Sequence, residues 1–81
     1  MSRREDLMIF IRNARPELSE TLDDDTRLIS SGLFDSLTLF NLTLWVEARI
    51  DAPINPATFD FLSDWDTPAG ILRYIERELG K

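Results

Sequence analysis

Gly32-Leu33-Phe34-Asp35-Ser36-Leu37 is the segment whose residue types and order could do chemistry. A turn-forming glycine is followed by an acid and a serine, and then an apolar run suited to a helix begins. That order predicts Ser36 in the first turn of a helix, with its hydroxyl at an exposed helix N-terminus. Unpaired backbone N–H groups and the positive end of the helix dipole favour a phosphate attached to or docked there. A hydrolytic role for the serine is disfavoured. The chain has no histidine to act as its base, and its one lysine, Lys81, is the last residue. With no cysteine there is no thiolate nucleophile, disulfide framework or Cys-based zinc site. Any thiol chemistry must arrive on a prosthetic group.

Elements that could position Ser36 follow from periodicity and punctuation. The 81 residues suit one small domain spanning 1–81, and a hydrophobic fraction of 43% is ordinary for a globular chain. A first helix is predicted from about Arg3 to Ala14. Ser2-Arg3-Arg4-Glu5 reads as a capping box, Leu7, Phe10, Ile11 and Ala14 as the buried stripe, and Pro16 marks the exit. Glu17 to Phe34 forms a long connection, with Leu18, Leu22, Leu28 and Ile29 pinning it to the helices. Asp23-Asp24-Asp25 lacks the alternating ligands and central glycine of a calcium loop and reads as a solvated acidic turn. No metal site is expected.

A second helix is predicted over about Ser36 to Ile50, with Asp35 or Ser36 at the N-cap. Leu39, Leu42, Thr43, Val46 and Ile50 share one face, whereas Leu37, Phe40 and Leu44 lie on another. A helix apolar on two sides is either central in a bundle or offers a binding face. Trp45 reads as a packing residue. Asn55-Pro56 predicts the start of a short third helix running to about Phe61 or Leu62, and Thr67-Pro68 starts a last helix to about Leu79. That last helix is expected to bury Ile71, Leu72, Ile75 and Leu79 and to expose Arg73, Glu76, Arg77 and Glu78, with Gly80 ending it. The fold class is all-α, a four-helix bundle of three longer helices and one short third helix.

Net charge is −6 and the pI near 4.4, which argues against nucleic acid as a partner. An acidic surface suits basic-faced enzymes, and it equally suits simple solubility. No apolar stretch approaches the roughly 20 residues of a membrane span. The N-terminus turns acidic before any apolar run, unlike a secretory signal, so a cytoplasmic protein is expected; a monomer is expected as well.

The chain resembles the acyl carrier protein family over nearly its whole length. The resemblance rests on Gly32-x-x-Asp35-Ser36-Leu37 at a helix start, on the long preceding loop, and on a Pro-initiated last helix. It implies that Ser36 carries a covalent 4′-phosphopantetheine arm taken from coenzyme A, with Asp35 and Leu37 beside it. It further implies three kinds of partner: a phosphopantetheinyl transferase, an adenylating acyl or aminoacyl ligase, and a downstream acyltransferase or synthase. Phe40, Leu44 and Glu47, together with Leu37, are the expected partner contacts. The chain itself would not be an enzyme.

Fatty-acid carriers usually bear acids along the helix after the serine. Thr38, Asn41 and Ala48 are read here as the corresponding exposed positions, only Glu47 keeps the charge, and Arg49 reverses it. Ala52-Pro53-Ile54, Phe59-Asp60 and Trp65-Asp66-Thr67-Pro68-x-x-Ile71 are similar to the D-alanyl carrier proteins. The spacing from Phe59 to Trp65 is one residue longer than in those proteins, and Thr38-Leu39-Phe40 departs from their pattern. The expected function is a stand-alone carrier holding an aminoacyl or small acyl thioester. The alternatives are a carrier of fatty acid or polyketide synthesis and an unmodified helical interaction module.

Overall fold

The computed structural model describes residues 2–54 and 60–80 and is all-helical over them. Four α-helices follow one another: α1 (Arg3–Ala14), α2 (Ser36–Ile50), α3 (Phe61–Asp64) and α4 (Pro68–Leu79). A short 3-10 turn, Pro16–Leu18, opens the connection between α1 and α2. The result is a small helical bundle in which α1 and α2 both pack on α4 and α3 abuts the start of α4.

Each helix begins on a side-chain cap. Ser2 Oγ accepts from the Glu5 N–H at 3.1 Å, which is the serine half of the predicted capping box. Asp35 caps α2 through the Thr38 N–H, Asp60 caps α3 through the Leu62 N–H, and Thr67 caps α4 through the Gly70 N–H. The predicted opening of the third helix at Asn55-Pro56 lies outside the described residues. Within them α3 runs from Phe61 to Asp64, past the predicted end, because Asp60 supplies the cap.

The core joins Leu7 and Ile11 of α1, Leu42, Val46 and Ile50 of α2, and Ile71, Tyr74 and Ile75 of α4. Trp65 sits at its centre, fully buried, with edge-to-face contacts to Phe61 at 5.5 Å and Tyr74 at 5.6 Å. Its burial makes it a packing anchor for α4. Several sequence expectations shift by a few positions. Met8 is buried, while Phe10 and Ala14 are only half-buried. On α4 the inward stripe is Ile71, Tyr74, Ile75 and Glu78, at helical spacing, so Leu79 points to solvent and Glu78 is half-buried.

The long connection is pinned as expected: Leu18 and Leu28 are buried, Leu22 and Ile29 half-buried. Its strongest tie, however, is polar. Asp66, only 6% exposed, accepts from the Ile29 N–H (2.9 Å), the Ser30 N–H (2.8 Å) and the Ser30 hydroxyl (2.8 Å), and pairs with Arg27 at 3.2 Å. The Asp66 carbonyl accepts the Leu28 N–H, and the Asp24 carbonyl accepts the Ala69 N–H in the first turn of α4. The connection therefore lies across the start of α4 and caps it. In the acidic turn, Asp23 accepts from the Asp25 N–H and the Thr26 hydroxyl, and Asp24 pairs with Arg4 at 2.8 Å.

Candidate functional site

Ser36 is the first residue of α2 and is exposed. The chain reaches it through a short strap. Gly32 takes φ +81°, a left-handed conformation that a side chain would strain, and turns the chain back. Phe34, 5% exposed, then plugs into the core, and its N–H bonds the Leu28 carbonyl at 2.9 Å. Asp35 is extended and forms the N-cap, so of the two capping candidates the acid takes the role, and among the described residues the Ser36 hydroxyl makes no hydrogen bond. Among the described residues nothing takes the N–H groups of Ser36 and Leu37. The first turn of a 15-residue helix thus presents free donors and a positive dipole end beside an exposed hydroxyl.

Asp35 Oδ1 accepts from the Thr38 N–H at 2.8 Å, and Oδ2 lies 3.5 Å from the Arg15 guanidinium. Hydrogen bonds from Thr38, then the Arg15 charge, hold the Asp35 carboxyl below the usual aspartate range. It is an anion at neutral pH.

On one side of Ser36 an open groove of about 410 Å³ runs between α2 and α3, lined by Ser36, Leu39, Phe40, Thr43 and Phe61. The Thr43 hydroxyl donates back to the Leu39 carbonyl at 2.9 Å, leaving the groove almost wholly apolar. On the other side a mixed depression of about 460 Å³ is walled by Phe10, Asn13, Arg15, Asp35, Leu37 and Asn41, among others.

The chain is 40% identical over 78 residues to the lincomycin biosynthesis protein LmbN of Streptomyces lincolnensis. That match takes in 95% of this chain but 28% of the relative, so the chain spans little more than a quarter of that protein's length. No protein-family model matches the chain, and no solved structure matches it significantly.

The remaining site residues fall as follows. Leu37, Phe40 and Leu44 are 67%, 59% and 50% exposed and share a face of α2 that the bundle does not cover. On α3, Leu62 and, less so, Phe61 are exposed as well, and Phe61 lines the groove beside Phe40. Thr38, read from sequence as an exposed docking position, is buried at 7% exposure. It lies one turn before Leu42 on the inward stripe Thr38, Leu42, Val46. Asn41 and Ala48 are exposed as expected. Glu47 is half-buried, and its Oε2 accepts the Ile54 N–H at 2.9 Å, which ties down the chain leaving α2. Its carboxylate therefore already has an internal partner. Trp45 packs against Phe10 at 5.6 Å, with the Arg49 guanidinium 4.0 Å above its ring.

Arg15, Arg27 and Ser30 are the residues sequence reasoning did not single out, and Asp66 entered it only as part of the Trp65-Asp66-Thr67-Pro68 pattern, with no role of its own. Asp66 sits in a helix-start pattern, where its neighbour Thr67 is the cap, and its partners lie 36 to 39 positions away. No local signal marks them. Among the described residues no helix is long and apolar enough to cross a membrane.

Proposed function

We propose that this chain is a single carrier domain bearing a 4′-phosphopantetheine arm on Ser36. The observation that carries this reading is the setting of Ser36. An exposed hydroxyl stands at the first position of a long helix, its neighbour Asp35 takes the capping duty, and free backbone donors lie beside it. Those donors suit the anionic phosphodiester that attachment would create. The arm would supply a terminal thiol on which an acyl group is held as a thioester. The chain's own part is to present the hydroxyl: Ser36 Oγ would bond to phosphorus, its proton passing to a base of the transferase and adenosine bisphosphate leaving.

Leu37, Phe40 and Leu44 form the surface on which successive partner enzymes would seat themselves, since a rigid apolar patch beside the attachment point is what docking requires. The cargo we favour is an aminoacyl or similarly small acyl group, loaded by an adenylating ligase. α2 carries a single acid, Glu47, and that one is tied to Ile54, so the helix offers little to the basic docking face of fatty-acid enzymes. Similarity to a protein of lincomycin biosynthesis supports a place in small-molecule assembly.

The test is intact mass after incubation with coenzyme A, magnesium and a broad-specificity phosphopantetheinyl transferase. One phosphopantetheine should be gained, and Ser36→Ala should gain none while staying folded. Because Asp35 is the cap, that substitution should cost less than the ~1 kcal/mol of a lost N-cap. A mass gain that persists in Ser36→Ala refutes the assignment.

A further inference from the structure

One cation outside the strap touches it at two points. Arg15 follows the last residue of α1, and its Nε donates to the Leu33 carbonyl. Another guanidinium nitrogen stands 3.5 Å from Asp35 Oδ2, and a third bonds the Ala14 carbonyl at 3.1 Å. Glu17 Oε1 lies 3.9 Å from Nε, and the Arg15 side chain is 27% exposed. Between the two gripped points, Phe34 is buried in the core.

We propose that Arg15 is a positioning residue for Ser36: its guanidinium grips the strap on either side of Phe34 and so fixes where the serine hydroxyl is presented. The proposal rests on the carrier reading of Ser36.

The geometry separates this duty from a purely structural one. The end of α1 is closed by the Arg15 backbone N–H on the Ile11 carbonyl, and of the side-chain bonds only the one to Ala14 adds to it. The bonds to Leu33 and Asp35 reach 18 and 20 positions along the chain and converge on the residues that deliver Ser36. Each Asp35 oxygen then has a partner of its own, Thr38 for Oδ1 and Arg15 for Oδ2, which sets the plane of the carboxylate that caps α2 immediately before Ser36. A planar fork of five N–H donors in fixed directions suits two carbonyls and a carboxylate together better than the compact ammonium of a lysine.

The experiment measures phosphopantetheinylation by intact mass over time, with wild type, Arg15→Ala, Arg15→Lys and Arg4→Ala, at saturating carrier and varied coenzyme A. Misplacing a reacting group by about 1 Å can lower a rate up to 100-fold. Arg15→Ala should therefore lose about tenfold or more in kcat with KM for coenzyme A unchanged. Arg15→Lys, which keeps the charge but not the fork, should recover part of that loss. Arg4→Ala breaks the exposed Arg4–Asp24 pair and should leave kcat alone. A structural role would lower thermal stability without moving kcat. Arg15→Ala at the wild-type kcat overturns the proposal. Should that variant fail to fold, undiminished kcat in Arg15→Lys overturns it instead. If the wild type gains no mass at all, the carrier reading falls and takes this proposal with it; equal modification of all four proteins refutes the proposal alone.

Discussion

Asp66→Asn should remove a measurable part of the stability and a part of its dependence on acid. Burial alone would raise the Asp66 pKa. Bonds from the Ser30 N–H and hydroxyl, the Ile29 N–H and Arg27 outweigh it and bring the value down from 3.8 to about 2. That depression is equivalent to about 2 kcal/mol of stability at neutral pH. It is fully present above the unfolded-state value near 4 and is lost as pH falls through about 4 towards 2. An asparagine oxygen can still accept the Ile29 and Ser30 N–H groups, but its amide presents donors to Arg27 and forfeits the charge. For a domain this small, about 2 kcal/mol corresponds to a Tm roughly 10 °C lower. The assay is urea unfolding followed by circular dichroism from pH 7 to pH 2. Wild type should exceed the variant by a constant margin above about pH 5, and the two should converge near pH 2. A gap that stays constant through the acid range would show that the carboxylate charge is not what secures the loop.

The exposed and buried faces make two further outcomes specific. Phe40→Ala should weaken aminoacyl or acyl loading of the modified protein about tenfold, equivalent to ~1.4 kcal/mol, while changing stability by no more than ~0.5 kcal/mol, because the ring is 59% exposed. Thermal unfolding alongside a loading time course checks both halves, and a large Tm loss would mean the ring is a core member. Gly70→Ala should destabilise by ~1–3 kcal/mol despite alanine's better helix propensity. Its Cβ would stand 2.5 Å from the Asp64 carbonyl oxygen, forcing α3 away from α4. A rise in the urea midpoint would contradict that close approach.

Local signals carried most of the helical plan. Ser2, Asp35 and Thr67 cap where their side chains and the following apolar spacing indicate, and Pro16 and Pro68 sit where they end or start a helix. The two-sided character of α2 was legible too, since Leu37, Phe40 and Leu44 fall off the stripe that Leu42, Val46 and Ile50 define. What escaped is set by tertiary contact. Thr38 looks polar and surface-seeking, yet one turn before Leu42 it faces inward. Tyr74 and Leu79 exchange the burial their hydrophobicity would suggest, because the contact of α4 with Trp65 lies at its middle and not at its last turn. Glu47 reads as a free surface acid until the chain folds back and offers it the Ile54 N–H. The grip of Arg15 on Leu33 and Asp35, and of Asp66 on Ile29 and Ser30, joins residues far apart in sequence, for which periodicity and capping grammar have no term.

The bonds that run from Asp66 to Leu28, Ile29 and Ser30 have a temporal meaning as well. α1 and the segment after it leave the ribosome well before Trp65 and Asp66, so the loop that leads into the strap, residues Leu28 to Ser30, has no seat until the last helix arrives. Closing a loop of that length early would cost chain entropy with no contact to offset it. The surroundings of Ser36 are therefore completed late, and together with the core. An enzyme that recognises the strap's shape would pass over nascent and misfolded chains and act on finished ones, so the same carboxylate that secures the loop would also time when the serine can be recognised.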